Sequence, residues 1–185
     1  MAFRADLSSM GLDLVRKITA FVGRPEAAFR EVKDEPVTPA LIYFVLLFLL
    51  YLVLSYIVFA LGTLFLPIGP PGDLPVLFMP HILLQLLPLT LLPIYLGLLH
   101  GWVYALGGRG GFSQTVKSVL YGLTPLLLLG YFSPLFLIAG IWSLGLITLG
   151  LRELRGMSLG KAGLATLLPS IFLVVLIFIL FLSAL

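Results

Sequence analysis

The sequence predicts an all-α membrane protein, a bundle of five transmembrane helices preceded by a cytosolic amphipathic helix. Three observations predict it. Hydrophobic residues make up 61% of the 185 and charged residues 10%, where a soluble domain carries roughly 45–50% and about 25%. A globule of this size leaves too much surface exposed to hide that apolar excess, so lipid must be the solvent. The charge is also segregated: of 11 basic and 8 acidic residues, 12 precede Pro36. Between the remaining charges lie apolar runs long enough to cross a ~30 Å hydrocarbon core.

Two parts follow, a cytosolic segment at 1–37 and a membrane domain at 38–185. In the first, Leu7, Met10, Leu14, Ile18 and Phe21 recur every three or four positions, with Asp6, Ser9, Asp13, Arg16 and Lys17 mostly on other faces, which is the pattern of an amphipathic helix. Gly23-Arg24-Pro25 ends it, and Pro25 suits the first turn of a shorter helix over 25–33. No cleavable signal is expected, because this stretch has no apolar core.

The first span is expected at 40–66, without a charge, and the segment 67–73, rich in Pro and Gly, forms an outer loop. The second lies at 76–106 and contains Pro80, Pro88 and Pro93 together with His81, Gln85 and His100. Each proline frees a carbonyl that neighbouring helices or water must satisfy. The apolar stretch 112–151 is too long for one span, and Gly130-Tyr131-Phe132-Ser133-Pro134 divides it into spans at 112–129 and 134–151. A basic loop at 152–161 precedes the last span, 162–185. With five spans, all eleven basic residues fall on the side of the N-terminus, which the positive-inside rule makes cytoplasmic, with the C-terminus outside. A re-entrant hairpin at the third and fourth spans satisfies the same count.

Few residues invite chemistry. There is no cysteine, no carboxylate inside a span, and no nucleophile or metal-ligand motif, so neither an enzyme nor a cofactor is expected. His81 and His100 are 19 residues apart, about 28 Å along one helix, too far to share an ion. Gln85, His100, Gly97, Gly101 and Tyr121 are the candidates for a pathway or for helix packing. Gly97 and Gly101 form G-x-x-x-G, and small residues including Ala139, Gly140, Ser143, Gly145 and Gly150 thin the fourth span, so the second and fourth spans are expected to pack closely. Arg16, Lys17, Arg109, Lys117, Arg152 and Arg155 are the candidates for contact with lipid headgroups. The glycines of Gly107-Gly108-Arg109-Gly110-Gly111 read as a flexible turn, since no Gly-Lys-Ser/Thr follows. The basic residues have no interleaved aromatics, so no nucleic-acid partner is expected.

Several strings resemble a known family in their order: Pro25-Glu26-Ala27-Ala28-Phe29, then Pro39-Ala40-Leu41-Ile42, then His100-Gly101 leading to Gly107-Gly108-Arg109-Gly110-Gly111-Phe112, Gln114-Thr115, Tyr121-Gly122-Leu123-Thr124-Pro125, and Gly145-Leu146-Ile147-Thr148-Leu149-Gly150-Leu151 followed by Lys161-Ala162. From Arg24 onward the chain is similar to the Yip (Ypt/Rab-interacting-protein) membrane domain. The resemblance implies five spans with a cytosolic N-terminus. In eukaryotes it implies an association with Rab-type GTPases and vesicle traffic, but the long N-terminal extension of those members is missing and the chain looks like the compact prokaryotic branch.

The function expected is that of a non-enzymatic membrane-organising or protein-interaction scaffold in the cell membrane. Its partners would be the bilayer and a protein at the cytosolic face, and a homo-oligomer is compatible with it. The alternative is a small-molecule, ion or lipid transporter or channel that uses the proline-broken second span.

Overall fold

The computed structural model describes residues 2–65 and 74–183, with the side chains of 2–10, 64, 74–78, 180, 181 and 183 excepted. The expected outer loop at 67–73, and the side chains of Arg4, Asp6, Leu7, Ser9 and Met10, lie outside the described residues. The described chain is helical: α1 (Ala2–Gly23), α2 (Pro25–Glu31), α3 (Thr38–Phe65), α4 (Leu74–Ala105), α5 (Phe112–Gly122), α6 (Thr124–Leu129), α7 (Ser133–Arg155) and α8 (Leu159–Ser183). Four of these, α3, α4, α7 and α8, are long and apolar enough to cross a bilayer.

The stretch expected as the third span is two helices, and local chemistry explains the break. Pro125 has no N–H to give the Tyr121 carbonyl, and the Thr124 hydroxyl donates to it instead at 2.6 Å. The next amide, Leu126 N–H, leaves the helix ladder and donates to Ser143 Oγ on α7 at 3.0 Å. The freed groups are thus satisfied by side chains, as they must be in a dry interior.

α5 is the centre of the molecule, with every residue from Thr115 to Gly122 buried. Its closest partner is α7, against which it runs antiparallel. Two glycines permit that approach. A Cβ on Gly122 would meet the Ile147 backbone nitrogen at 2.9 Å and Cα at 3.0 Å, and one on Gly150 would meet the Phe29 ring at 2.9 Å and Ser118 Cα at 3.0 Å. The expected close pairing of the second and fourth spans is replaced by this pairing of α5 with α7, while α4 packs mainly on α8. A Cβ on Gly97 or Gly101 would meet nothing within 4 Å. Composition marks where a backbone can be approached, but not which neighbour does so.

α7 continues to Arg155, so Arg152, Glu153 and Arg155 lie on its last turn and not in a loop. Cations suit that position beside the carbonyl end of the helix dipole, and Gly156 closes the helix at φ 63°. The connection to α8 shrinks to residues 156–158.

At one end of the bundle the α1–α2 segment, the α4–α5 connection and the α7–α8 connection meet. Arg30 Nε bonds Glu153 at 2.7 Å, Arg152 bonds Glu26 at 2.9 Å, and the Arg109 amide donates to the Arg155 carbonyl at 3.0 Å. These contacts make up the basic end of the bundle.

Gly122→Ala is expected to force α5 from α7 and cost about 1–3 kcal/mol, the usual range for overpacking. Gly97→Ala, where the added methyl meets open space, is expected to leave stability unchanged. Thermal unfolding of both variants in detergent checks the contrast.

Candidate functional site

Two places in the bundle concentrate polar groups. At the basic end, Lys117 is 1% exposed, and its ammonium donates to the carbonyls of Val32 at 2.8 Å, Lys33 at 2.7 Å and Glu35 at 2.8 Å. All three of its donors are thereby used, on the chain just past the end of α2. Beside it Lys17 reaches the Tyr121 hydroxyl at 3.2 Å and Glu35 at 3.4 Å. Below these, Phe21 stacks on Tyr121 with centroids 4.3 Å apart and meets the edge of Phe29 at 4.9 Å, with Tyr43 5.1 Å from Tyr121. The C-terminal part of α1 is therefore core, with Leu14 and Ile18 packed against it.

Arg155 is also 1% exposed, and its Nη1 donates to the carbonyls of Gly110 and Gly111, pinning the glycine turn. Of the six residues expected at headgroups, Lys117 and Arg155 are thus turned inward, because backbone carbonyls outbid water for them. Arg16 (paired with Asp13 at 3.2 Å) and Arg109 are exposed, and Lys17 and Arg152 are half-buried in ion pairs. On α2, outside the spans, the hydrogen bond and charge of Glu153 raise the pKa of the Arg30 guanidinium. His100 Nδ1 lies 3.1 Å from the Thr115 hydroxyl, with its ring edge-on to Phe112.

The second place is between the far halves of α3 and α4. The Tyr51 hydroxyl donates to Gln85 Oε1, Gln85 Nε2 donates to Ser55 Oγ at 2.5 Å, and Ser55 Oγ lies 3.2 Å from His81 Nε2. Sequence reasoning singled out Gln85 and His81 but missed Tyr51 and Ser55. The signal was present: 51/55 and 81/85 are both i, i+4 pairs, each on one face of its helix, and antiparallel neighbours bring them into register. Three cavities surround this quartet. The largest, 590 Å³, is a groove along α4 lined among others by Tyr51, Gln85, Pro88, Tyr95, Tyr131 and Ser133, with α8 supplying Leu173 and Ile177. Smaller ones of 350 Å³ and 240 Å³ border His81.

Among the described residues, no three His, Cys, Asp or Glu side chains gather as metal ligands. The quartet is a hydrogen-bond chain, and with no carboxylate, lysine or arginine beside it among the described residues, the arrangement can hold a helix pair together or meet an uncharged polar group.

A family model described as Yip1 domain matches residues 20–183. No curated protein and no solved structure matches the chain.

Lys117→Met is expected to strand three carbonyls and cost about 3 kcal/mol, loosening residues 32–37. Arg109→Met, at an exposed side chain, is expected to change neither quantity. Hydrogen exchange over that connection, with melting temperatures, checks both.

Proposed function

The chain belongs to the Yip1 domain family, and from that premise we propose that it is a non-enzymatic membrane-organising scaffold with five crossings, whose contact surface is the α1–α2 segment at a cytosolic basic end. The crossing count is supported by α5 and α6 together: residues 112–129 rise about 27 Å, most of the hydrocarbon thickness, and α7 returns beside them. The orientation is supported by the meeting of three basic segments at one end.

The observation that carries the scaffold reading is the division of α1. One face is locked by Phe21 and Lys17, while Leu12 and Val15, 73% and 58% exposed, project from the other with Arg16 beside them. Exposed apolar side chains beside the Arg16–Asp13 ion pair are a surface that a protein partner can meet. Passage of a solute along α4 is less well supported. The groove ends at Tyr95, and Leu96, Leu99 and Val103 beyond it are buried.

The absence of cysteine makes single-cysteine mapping clean. With an impermeant maleimide, Ala184→Cys is expected to label in intact cells, and Arg109→Cys and Ser158→Cys only after permeabilisation. Protection of position 184 in intact cells would mean an even number of crossings.

A photo-crosslinking amino acid replacing Leu12 is expected to trap a discrete protein adduct in cells. The same group replacing Val174, exposed on α8, is expected to trap lipid alone. Identical lipid-only products at both positions would overturn the scaffold reading.

A further inference from the structure

We propose that the 590 Å³ groove along α4 is a binding site for a neutral single-chain amphiphile, an aliphatic chain ending in an uncharged hydroxyl group. The proposal stands apart from the scaffold reading, which uses the opposite end of the molecule.

Access selects the class first. The groove lies among helices whose outward side chains, Leu84, Leu87, Phe136 and Ile177, are exposed on the apolar surface of the bundle. Whatever enters comes from the bilayer. Between Leu84 and Tyr95 the wall follows α4 for about 16 Å, lined by Leu84, Leu87, Leu91 and Leu92, with Leu173 and Ile177 opposite. A volume of 590 Å³ is that of a pocket for one ligand-sized molecule, roughly 300–1,000 Å³. That is room for one aliphatic chain at a time.

Charge selects the head. No Lys, Arg, His, Asp or Glu is among the lining residues. A phosphate or carboxylate would be stripped of water there with no counter-charge, at a cost of several kcal/mol or more. Of the polar residues that line it, Tyr95 at one end is engaged with Ser170 at 3.3 Å, and Tyr51, Gln85, Tyr131 and Ser133 gather toward the other. Gln85 keeps one amide N–H beyond the bond it gives Ser55, and the Tyr51 oxygen keeps its lone pairs after donating to Gln85. The hydroxyls of Tyr131 and Ser133 make no hydrogen bond with another described residue and border the same cavity. Pro88 has no N–H, so the carbonyl of Leu84, also in the lining, loses its helical partner. Donors and acceptors are thus both present without charge, which is the complement of a hydroxyl that must donate and accept once.

The chain, purified in full and placed in phosphatidylcholine nanodiscs, is labelled with hexadecanol carrying a diazirine in its chain. Palmitic acid and phosphatidylcholine with the same diazirine serve as comparators. Hexadecanol is expected to label peptides from Leu84–Tyr95 and Leu173–Ile177 about fivefold above either comparator, and unlabelled hexadecanol is expected to compete it away. Leu173→Trp, which fills the groove, is expected to remove that excess, while Ile171→Trp on the exposed face of α8 leaves it. Ser133→Ala is expected to lower the preference for alcohol over carboxylate without changing the melting temperature. Equal labelling by the three probes, labelling that unlabelled hexadecanol does not compete, or labelling unmoved in Leu173→Trp would each overturn the site.

Discussion

An ammonium group has three hydrogens, and at Lys117 each meets a main-chain carbonyl at 2.7–2.8 Å. The rest of the basic end depends on that contact. The carbonyls belong to the chain between α2 and α3, so fixing them fixes where α2 lies and where α3 enters. The position of α2 sets Phe29 against Gly150 and under Phe21, and Phe21 seats α1 on Tyr121. Helices in lipid gain no hydrophobic drive for meeting one another, so tight packing and interhelical hydrogen bonds must supply it. A buried cation fully coordinated by carbonyls is an extreme form of the second kind.

The remaining adhesion is steric. α5 approaches α7 because Gly122 and Gly150 leave no side chain between the backbones, and Ser143 receives the amide that the break at Leu123 releases. The break and the close pair are one device. An uninterrupted helix over 112–129 would keep the Leu126 amide for itself and leave Ser143 without its bond. Removing residues 1–23, which would strip Phe21 and Lys17 from this assembly, would therefore damage the core and not only a docking surface.

Much of the fold was legible in sequence, because a hydrocarbon solvent imposes length and apolarity on whatever crosses it. The spans expected at 40–66, 76–106 and 162–185 lie within a few residues of α3, α4 and α8. Hydropathy could not separate a helix that faces lipid from one that faces protein. The stretch holding α5 scored as a span, yet its residues from Thr115 to Gly122 are all buried by neighbours. For the same reason Lys117 read as a headgroup contact: a cation near a helix end looks identical in sequence whether water or carbonyls receive it. Gly97 and Gly101 show the converse, since a small-residue pair signals that approach is possible and cannot name the partner. The quartet was half legible, through His81 and Gln85, and the rest required knowing that α3 runs antiparallel beside α4.

The two halves of the bundle are built on different terms. At the basic end the charges whose partners are described are spent on carbonyls or counter-charges, above a packed cluster of Phe21, Phe29, Tyr43 and Tyr121. In the other half α3 and α4 are joined largely through side chains, by four polar groups bordered by cavities. Hydrogen bonds between side chains of membrane helices contribute little each, on the order of 0.6–2 kcal/mol, so the α3–α4 contact is held by weaker bonds than the end where Lys117 meets three carbonyls. The three prolines inside α4 remove ladder bonds from the same helix. One end of the fold is thus bound through buried cations on backbone carbonyls, and the other through single side-chain bonds between two helices.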